Sequence, residues 1–202
     1  MYATLPSFVL GFHGCDRRVM QKVLNGDDIF IPSENSYDWL GHGTYFWENS
    51  PQRATEYAHS LSLKSNSNIE NPTCIGAVID LGRCLNLLDS ASLEIVREGY
   101  NILRSTTTIS GAELPRNKLR SPSGDLLLRY LDCAVIETVH ASIQERTEPA
   151  YDSVRGAFWE GGELYPDAGF KEKNHVQICV RNPNCIKGFF LPRTPSSDYD
   201  IP

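Results

Sequence analysis

The chain has 202 residues, of which 41% are apolar and 22% are charged, a composition typical of one globular domain with a sizeable core. Its net charge of −6 argues against broad electrostatic affinity for nucleic acid, and no stretch is long and apolar enough to cross a membrane. Because residues 1–6 lack the basic and apolar regions of a signal peptide, we expect a cytoplasmic protein.

The cysteines indicate neither a disulfide framework nor a metal site. No two of them form a C-x-x-C pair, and zinc sites usually contain such closely spaced ligands. We therefore expect free and mostly buried thiols and no metal cofactor. They are Cys15, Cys74, Cys84, Cys133, Cys179 and Cys185.

In the first part of the chain, short apolar runs alternate with helix signals. Residues 8–13 predict a buried strand, and Asp16 is positioned to cap a helix over residues 17–24 that ends at Asn25-Gly26. Residues 44–47 predict an aromatic strand. Ser50-Pro51 marks the start of the next helix, which fades into a polar loop over residues 60–68.

In the middle of the chain, the patterns predict strands over residues 74–81 and 84–88, and a helix from Asp89 or Ser90 to about residue 104. Residues 105–124 are rich in Ser, Thr, Pro, Gly and Arg, so they predict a long surface loop. Residues 126–143 are apolar on nearly all sides and predict a buried helix.

The last part of the chain predicts three strands, over residues 151–158, 175–181 and 186–191, with an acidic loop over residues 160–173. Strands dominate both ends and helices the middle, a pattern that favours an α+β fold. We expect one domain over residues 1–194 and a disordered tail over residues 195–202.

Two motifs place a polar ring beside glycine. His13-Gly14 ends the first predicted strand, and Tyr45 lies within Gly41-His-Gly-Thr-Tyr-Phe46. Glycine lets a ligand approach the main chain closely because it has no Cβ. Tyrosine can stack on a flat ring, and imidazole and backbone can hydrogen-bond to it. The pair therefore favours a pocket for a planar polar ligand.

These motifs, followed by a helix that carries Ala and Tyr, resemble the ADP-ribosyltransferase superfamily, in the branch of diphtheria toxin and the poly(ADP-ribose) polymerases. The resemblance implies two small packed antiparallel sheets with flanking helices and an NAD cleft. It implies that His13 holds a ribose hydroxyl, that Gly14 binds the nicotinamide amide through its backbone, and that Tyr45 stacks on the ring. Tyr57 is the candidate for the other ring face, or else packs in the core.

The third motif of the family is a strand that usually begins with a catalytic Glu. The matching strand over residues 174–180 places Gln177 there, and His175 is its rival on the same strand face. Glutamine can hold a ribose hydroxyl but has no negative charge. Glu160, Glu163 or Glu172 in the preceding loop are candidates to replace that charge.

The resemblance implies a mono-ADP-ribosyltransferase that moves ADP-ribose from NAD to a protein or nucleic acid, as a bacterial toxin or defence effector. An antitoxin or immunity protein is then a possible partner. Because the loop before the third motif contacts the acceptor in that family, Asp152, Arg155 and Glu160 are substrate-binding candidates. A non-catalytic NAD or ADP-ribose module is the alternative. An RNA 2′-phosphotransferase is a weaker one, since the Arg and His set it needs is not found.

Overall fold

The computed structural model describes residues 8–121, 123–194 and 196–200. In this part of the chain the α-helices are α1 (Arg17–Asn25), α2 (Pro51–Ser62), α3 (Ser90–Ser110) and α4 (Tyr130–Glu145). The strands are β1 (Phe8–Asp16), β2 (Thr44–Glu48), β3 (Pro72–Asp80), β4 (Cys84–Asn86), β5 (Lys118–Arg120), β6 (Leu126–Leu128), β7 (Ser153–Phe158), β8 (His175–Val180) and β9 (Ile186–Phe190). These elements confirm the α+β class.

Seven strands form one mixed sheet in the order β4-β7-β8-β2-β1-β3-β9, and β5 pairs with β6 separately. Only β4 and β7 run parallel within the sheet. The expected pair of small antiparallel sheets is therefore not the arrangement found. A short ladder, Gly11 with Glu48 and Phe12 with Trp47, joins β9-β3-β1 to β2-β8-β7-β4.

Helices cover both faces of this sheet. The α2 face carries Phe12 and Trp47, which pack with Ala54 of α2. Farther along the same face, Ile136 and Val139 of α4 pack with Leu40, Val154 and other buried residues. The α1 face carries Cys15 and Ile75, which pack with Met20 and Val23 of α1. Helix α3 lies against α4.

The first helix begins and ends as the sequence predicts. The Asp16 side chain accepts a hydrogen bond from the Arg18 amide, and Gly26 closes α1 with a φ of 79°. Ser50 precedes α2 as expected, but its side chain makes no capping hydrogen bond there. Pro51 at the first helical position is then the more informative start signal.

Two of the middle elements differ from the prediction. The expected loop over residues 105–124 contains the last turns of α3 and strand β5. The expected helix over residues 126–143 begins only at Tyr130, because Leu126–Leu128 is strand β6 and pairs with β5. Of the tail predicted to be disordered, Pro195, Ile201 and Pro202 lie outside the described residues.

All six cysteines are free, and all but the half-buried Cys84 are buried. Burial raises the pKa of Cys15, Cys133 and Cys185 to about 11. Within the described ranges, no three His, Cys, Asp or Glu side chains are grouped so that they could hold a metal ion. In the same part of the chain, no helix has the length and apolar character needed to span a membrane.

Candidate functional site

Three neighbouring strands carry the residues of the candidate site. His13 and Gly14 lie on β1, Tyr45 on β2 and Gln177 on β8, and β2 lies between the other two strands. Trp47 is in register with Phe12 on one side and with Gln177 on the other, so all three point to the α2 face. Tyr45 lies two residues from Trp47 and shares that face.

His13 lies on the opposite, α1 face, where its ring is 4.3 Å from that of Phe30. Its Nδ1 is 2.7 Å from the Tyr45 carbonyl oxygen. Because a carbonyl only accepts, Nδ1 must carry the hydrogen. Burial lowers the pKa of His13, against the opposing effect of this hydrogen bond. The neutral ring therefore presents Nε2 as an acceptor, which suits a hydroxyl group.

The pairing between β1 and β2 ends at Phe12 and Trp47, so Gly14 and Tyr45 are not paired with each other. The unpaired stretch beyond this point, beside His13, is called the opening. The Leu10 carbonyl accepts from the Asn49 amide on the β2 side. Since peptide groups alternate along a strand, those of Gly14 face the same side, toward the opening. They are thus placed to bind a planar amide.

Gly14 is required for a reason that the sequence did not suggest. A Cβ at this position would lie 2.1 Å from the Ala54 carbonyl oxygen and 3.2 Å from Ala58 Cβ. On the side where a Cβ would point, Gly14 therefore makes room for helix α2 and not for the ligand expected from the sequence. Only the peptide edge of Gly14 is left for a ligand.

Tyr45 and Tyr57 differ in how firmly their surroundings hold them. The Tyr45 hydroxyl donates to the Gly41 carbonyl at 2.6 Å and accepts from the Leu40 amide at 2.8 Å. Burial raises its pKa, so the hydroxyl stays protonated. Tyr57 is 44% exposed, and its ring lies 4.9 Å from that of Trp47. Tyr45 is thus fixed by the loop before it, whereas Tyr57 has a free ring face.

Unsatisfied polar atoms lie close to Gln177. Its side chain is buried, and Trp47 of β2 is its partner in register. Buried Trp47 Nε1, Arg53 Nε and His175 Nε2 have no hydrogen-bond partner among the described residues. Buried polar atoms are normally paired, so this concentration marks a place where a ligand would supply partners.

Glu160 is the acidic loop residue that lies at this place. Its Oε2 is 3.5 Å from Arg53 Nη2 and 3.6 Å from His175 Nε2. Burial raises the pKa of Glu160, and the Arg53 charge opposes that rise. Glu163 and Glu172 instead accept from the Asp167 and Gly162 amides within their own loop.

The structure does not bring Asp152 and Arg155 to the site. Arg155 lies on the α1 face and holds both carboxylate oxygens of Glu48, at 2.5 and 2.8 Å. Asp152 accepts from the Arg83 amide and from the Asn182 side chain, at 2.8 and 2.7 Å. Both side chains join structural elements, and Glu160 alone of the three substrate-binding candidates is near Gln177.

Sequence reasoning missed Trp47 and the aromatic set next to it. The Arg129 guanidinium lies 4.0 Å from the ring centre of Trp39 and 5.0 Å from that of Phe158. The Phe158 ring is in turn 5.8 Å from the His175 ring. Trp47 could have been found from its two-residue spacing to Tyr45, because that spacing places both on one strand face.

The comparisons found one similar sequence of note. The chain is 24% identical over 192 residues to the uncharacterized protein MJ0359 of Methanocaldococcus jannaschii, which covers 87% of this chain and 83% of that protein. No family model matches the chain, and no solved structure matches it.

Proposed function

We propose that this chain is a mono-ADP-ribosyltransferase that uses NAD, and that the two sheets of that superfamily's fold correspond here to β9-β3-β1 and β2-β8-β7-β4, joined by their short ladder. The observation that carries the proposal is the order of the strands. His13, Tyr45 and Gln177 lie on β1, β2 and β8, which are direct neighbours, and the His13 ring reaches across the opening between β1 and β2. The family resemblance of their motifs requires these three positions to lie on adjoining strands.

The reaction breaks the bond between nicotinamide and ribose through an oxocarbenium-like transition state. His13 Nε2 accepts a hydrogen bond from a ribose hydroxyl. The peptide groups of Gly14 pair with the nicotinamide amide at the opening. The exposed Tyr57 ring covers the nicotinamide, and Tyr45 forms the wall behind it. Each residue thus acts through a group that the fold leaves available.

Negative charge near the ribose is the remaining requirement, because it stabilises the developing cation. Gln177 holds a ribose hydroxyl through its side-chain amide but cannot supply charge. Glu160 supplies it in this proposal, since its carboxylate is the acidic group next to the β8 strand. The acceptor is a protein or nucleic acid in the cytoplasm. The biological role is that of a toxin or defence effector, with an antitoxin or immunity protein as partner.

Calorimetric titration with NAD tests the proposal. Tyr57→Ala should weaken NAD binding about fivefold to tenfold, because a stacking contact is worth about 1 kcal/mol. Tyr57 is a better choice than Tyr45, whose hydroxyl holds the Leu40–Gly41 backbone. Tyr100→Ala on α3 is the matched control and should bind like the wild type. Absence of NAD binding to the wild-type protein at millimolar concentration would rule the proposal out.

A second candidate function is a non-catalytic module that binds NAD or ADP-ribose. It is favoured by Gln177 at the position of the usual Glu, and by the Arg53 charge close to Glu160. Incubation with labelled NAD and a cell lysate separates the two. Transfer of label to protein or nucleic acid supports the enzyme, whereas binding without nicotinamide release supports the module.

A further inference from the structure

A hydrogen bond to the preceding loop fixes which ring nitrogen of His175 carries a hydrogen. Its side chain is 1% exposed, and its ring lies 6.5 Å from that of Trp47 and 5.8 Å from that of Phe158. Nδ1 is 2.8 Å from the Lys173 carbonyl oxygen, which can only accept, so Nδ1 carries a hydrogen. In a neutral ring, Nε2 then has no hydrogen and presents its lone pair.

That lone pair faces a carboxylate. Glu160 Oε2 lies 3.6 Å from His175 Nε2, and Nε2 has no hydrogen-bond partner among the described residues. Two acceptors that face each other in a buried site are unfavourable, and a single proton between them removes the conflict. A proton that enters this site is therefore bound by His175 and Glu160 together.

The surroundings let this pair gain and lose that proton. Arg53 of α2, Lys173 of the loop and Arg129 before α4 act on the pair with positive charge, and Asp125 acts with negative charge. Burial raises the pKa of Glu160 and lowers that of His175, which brings the two affinities for a proton closer together. Glu160 is half-buried and reaches solvent, whereas His175 does not.

We infer that His175 and Glu160 form a proton-accepting pair for the acceptor group, with Glu160 in contact with the acceptor and His175 as the positioning residue behind it. This inference rests on the proposed ADP-ribosyl transfer. It identifies the acceptor as a group that must lose a proton, such as a hydroxyl or a nitrogen that bears hydrogen. A carboxylate acceptor has no such proton and would need no such pair.

The transfer proceeds by displacement at C1′ of the ribose. A lone pair of the acceptor atom forms a bond to C1′ of the ribose. The bond from C1′ to nicotinamide breaks, and its electron pair returns to the ring nitrogen, which becomes neutral. The proton of the acceptor passes to Glu160 and is shared with His175 Nε2. Water takes the proton from the pair after the products leave.

A titration of the imidazole nitrogens by NMR tests the pair without NAD. A carboxylate partner raises the pKa of an imidazole, so Glu160→Gln should move the His175 titration to lower pH by about one unit or more. His140 is the internal control: its pKa is lowered to about 4 by burial on α4, and its titration should not move. An unchanged His175 titration in Glu160→Gln overturns the pair, whatever NAD does.

The pH profile of transfer from labelled NAD tests its role. The pair accepts a proton only when it carries none, so the rate of transfer should rise as the pH passes the pKa of the pair. His175→Gln replaces the Nε2 lone pair by an N–H donor, which should move the acid limb to lower pH by about one unit. His140→Gln should leave the profile in place. An acid limb that stays in place in His175→Gln overturns the role.

The chemistry of the product gives an independent result. Neutral hydroxylamine cleaves esters quickly and guanidinium glycosides more slowly, so label that survives a brief treatment supports a hydroxyl or nitrogen acceptor. Rapid release of the label would identify a carboxylate and overturn the inference. A wild-type protein that shows the His175 shift but never releases nicotinamide overturns both the proposed transfer and the role of the pair in it, while the shared proton itself stands.

Discussion

Asp16 connects three segments of the chain. It ends β1, caps α1 and accepts hydrogen bonds from the amides of Glu70 and Asn71, which lead into β3, at 2.8 and 2.9 Å. These bonds, the Asn71 amide first and the Arg18 amide next, hold the pKa of Asp16 well below its usual range. Each of them stabilises the charged carboxylate in the folded state.

The lowered pKa of Asp16 determines how its contribution to stability changes with pH. The contribution of Asp16 is present above the unfolded-state pKa, about 3.9, and is lost as pH falls toward the lower folded-state value. Asp16→Ala should therefore lower the free energy of unfolding by about 2–4 kcal/mol at neutral pH and flatten its decline in acid. Urea titrations across that range measure both effects.

Asp89→Ala is the matched control for Asp16→Ala. Asp89 caps α3 with one hydrogen bond, from the Ser92 amide at 3.2 Å, and its side chain bonds to no distant segment among the described residues. Its loss should cost about 1 kcal/mol. If the two variants lose equal stability, the connection from Asp16 to Glu70 and Asn71 contributes nothing.

Gly14 allows a second test at the residue scale. Gly14→Ala places a methyl group 2.1 Å from the Ala54 carbonyl oxygen, so α2 must shift away from the sheet. We expect a loss of about 1–3 kcal/mol in the free energy of unfolding. Gly188→Ala on β9 is the control, because no atom lies within 4 Å of its added Cβ. Similar stability of the two variants would contradict the packing described for α2.

Gln177 tests the reaction itself. If its amide holds the ribose more tightly in the transition state, Gln177→Ala should lower the rate of nicotinamide release about tenfold or more with a smaller effect on NAD affinity. Gln177→Glu should preserve or raise NAD hydrolysis, because it adds negative charge beside the ribose. Single-turnover kinetics and titration separate the two effects. Equal turnover in wild type and Gln177→Ala would remove Gln177 from the site.

The sequence predicted most elements, including both ends of α1, but missed the end of α3 and strands β5 and β6. Asp16 and Gly26 define α1 at both ends, and both act through neighbours in the chain. Helix α3 instead continues to Ser110 through Thr107 and Thr108, whose hydroxyls donate to carbonyl oxygens one turn earlier. Leu126–Leu128 is a strand because it pairs with Lys118–Arg120, and a short apolar run cannot reveal such a partner.

Helices α3 and α4 pack through a glycine, which provides the test at the element scale. A Cβ at Gly99 would lie 2.5 Å from Val139 Cγ2. Alanine favours a helix by about 1 kcal/mol over glycine, but the clash costs about 1–3 kcal/mol, so we expect Gly99→Ala to be neutral to destabilising. Val139→Ala creates the missing space. Thermal unfolding of the double variant should then show less loss than the two single losses combined, and simple additivity would argue against this contact.

At the scale of the molecule, the sequence predicted the strands of the candidate site better than it predicted their order or the faces of their side chains. The motifs placed His13, Tyr45 and Gln177 on strands, and those strands exist. The strand order, which decides that β2 lies between β1 and β8, depends on contacts across the whole chain. So does the face of each side chain, and this is why Arg155 pairs with Glu48 on the face opposite Gln177.

The short ladder between β1 and β2 bears on whether the two halves of the sheet unfold together or separately. Few backbone hydrogen bonds join its halves, each worth about 1 kcal/mol. Packing across the join is stronger: Phe46 and Ile178 from one half are buried with Ala77 and Ile79 from the other, and each large side chain contributes about 1.5–3 kcal/mol. The two halves should therefore open together.

The six thiols allow this cooperativity to be measured by mass spectrometry. They lie on both halves of the sheet and react with alkylating reagents only when exposed as thiolate. In moderate denaturant, intact-mass spectra should show molecules with at most one label, at half-buried Cys84, and molecules with all six. A stable population labelled at Cys15, Cys74 and Cys185, with or without Cys84, would show instead that the β9-β3-β1 half opens by itself.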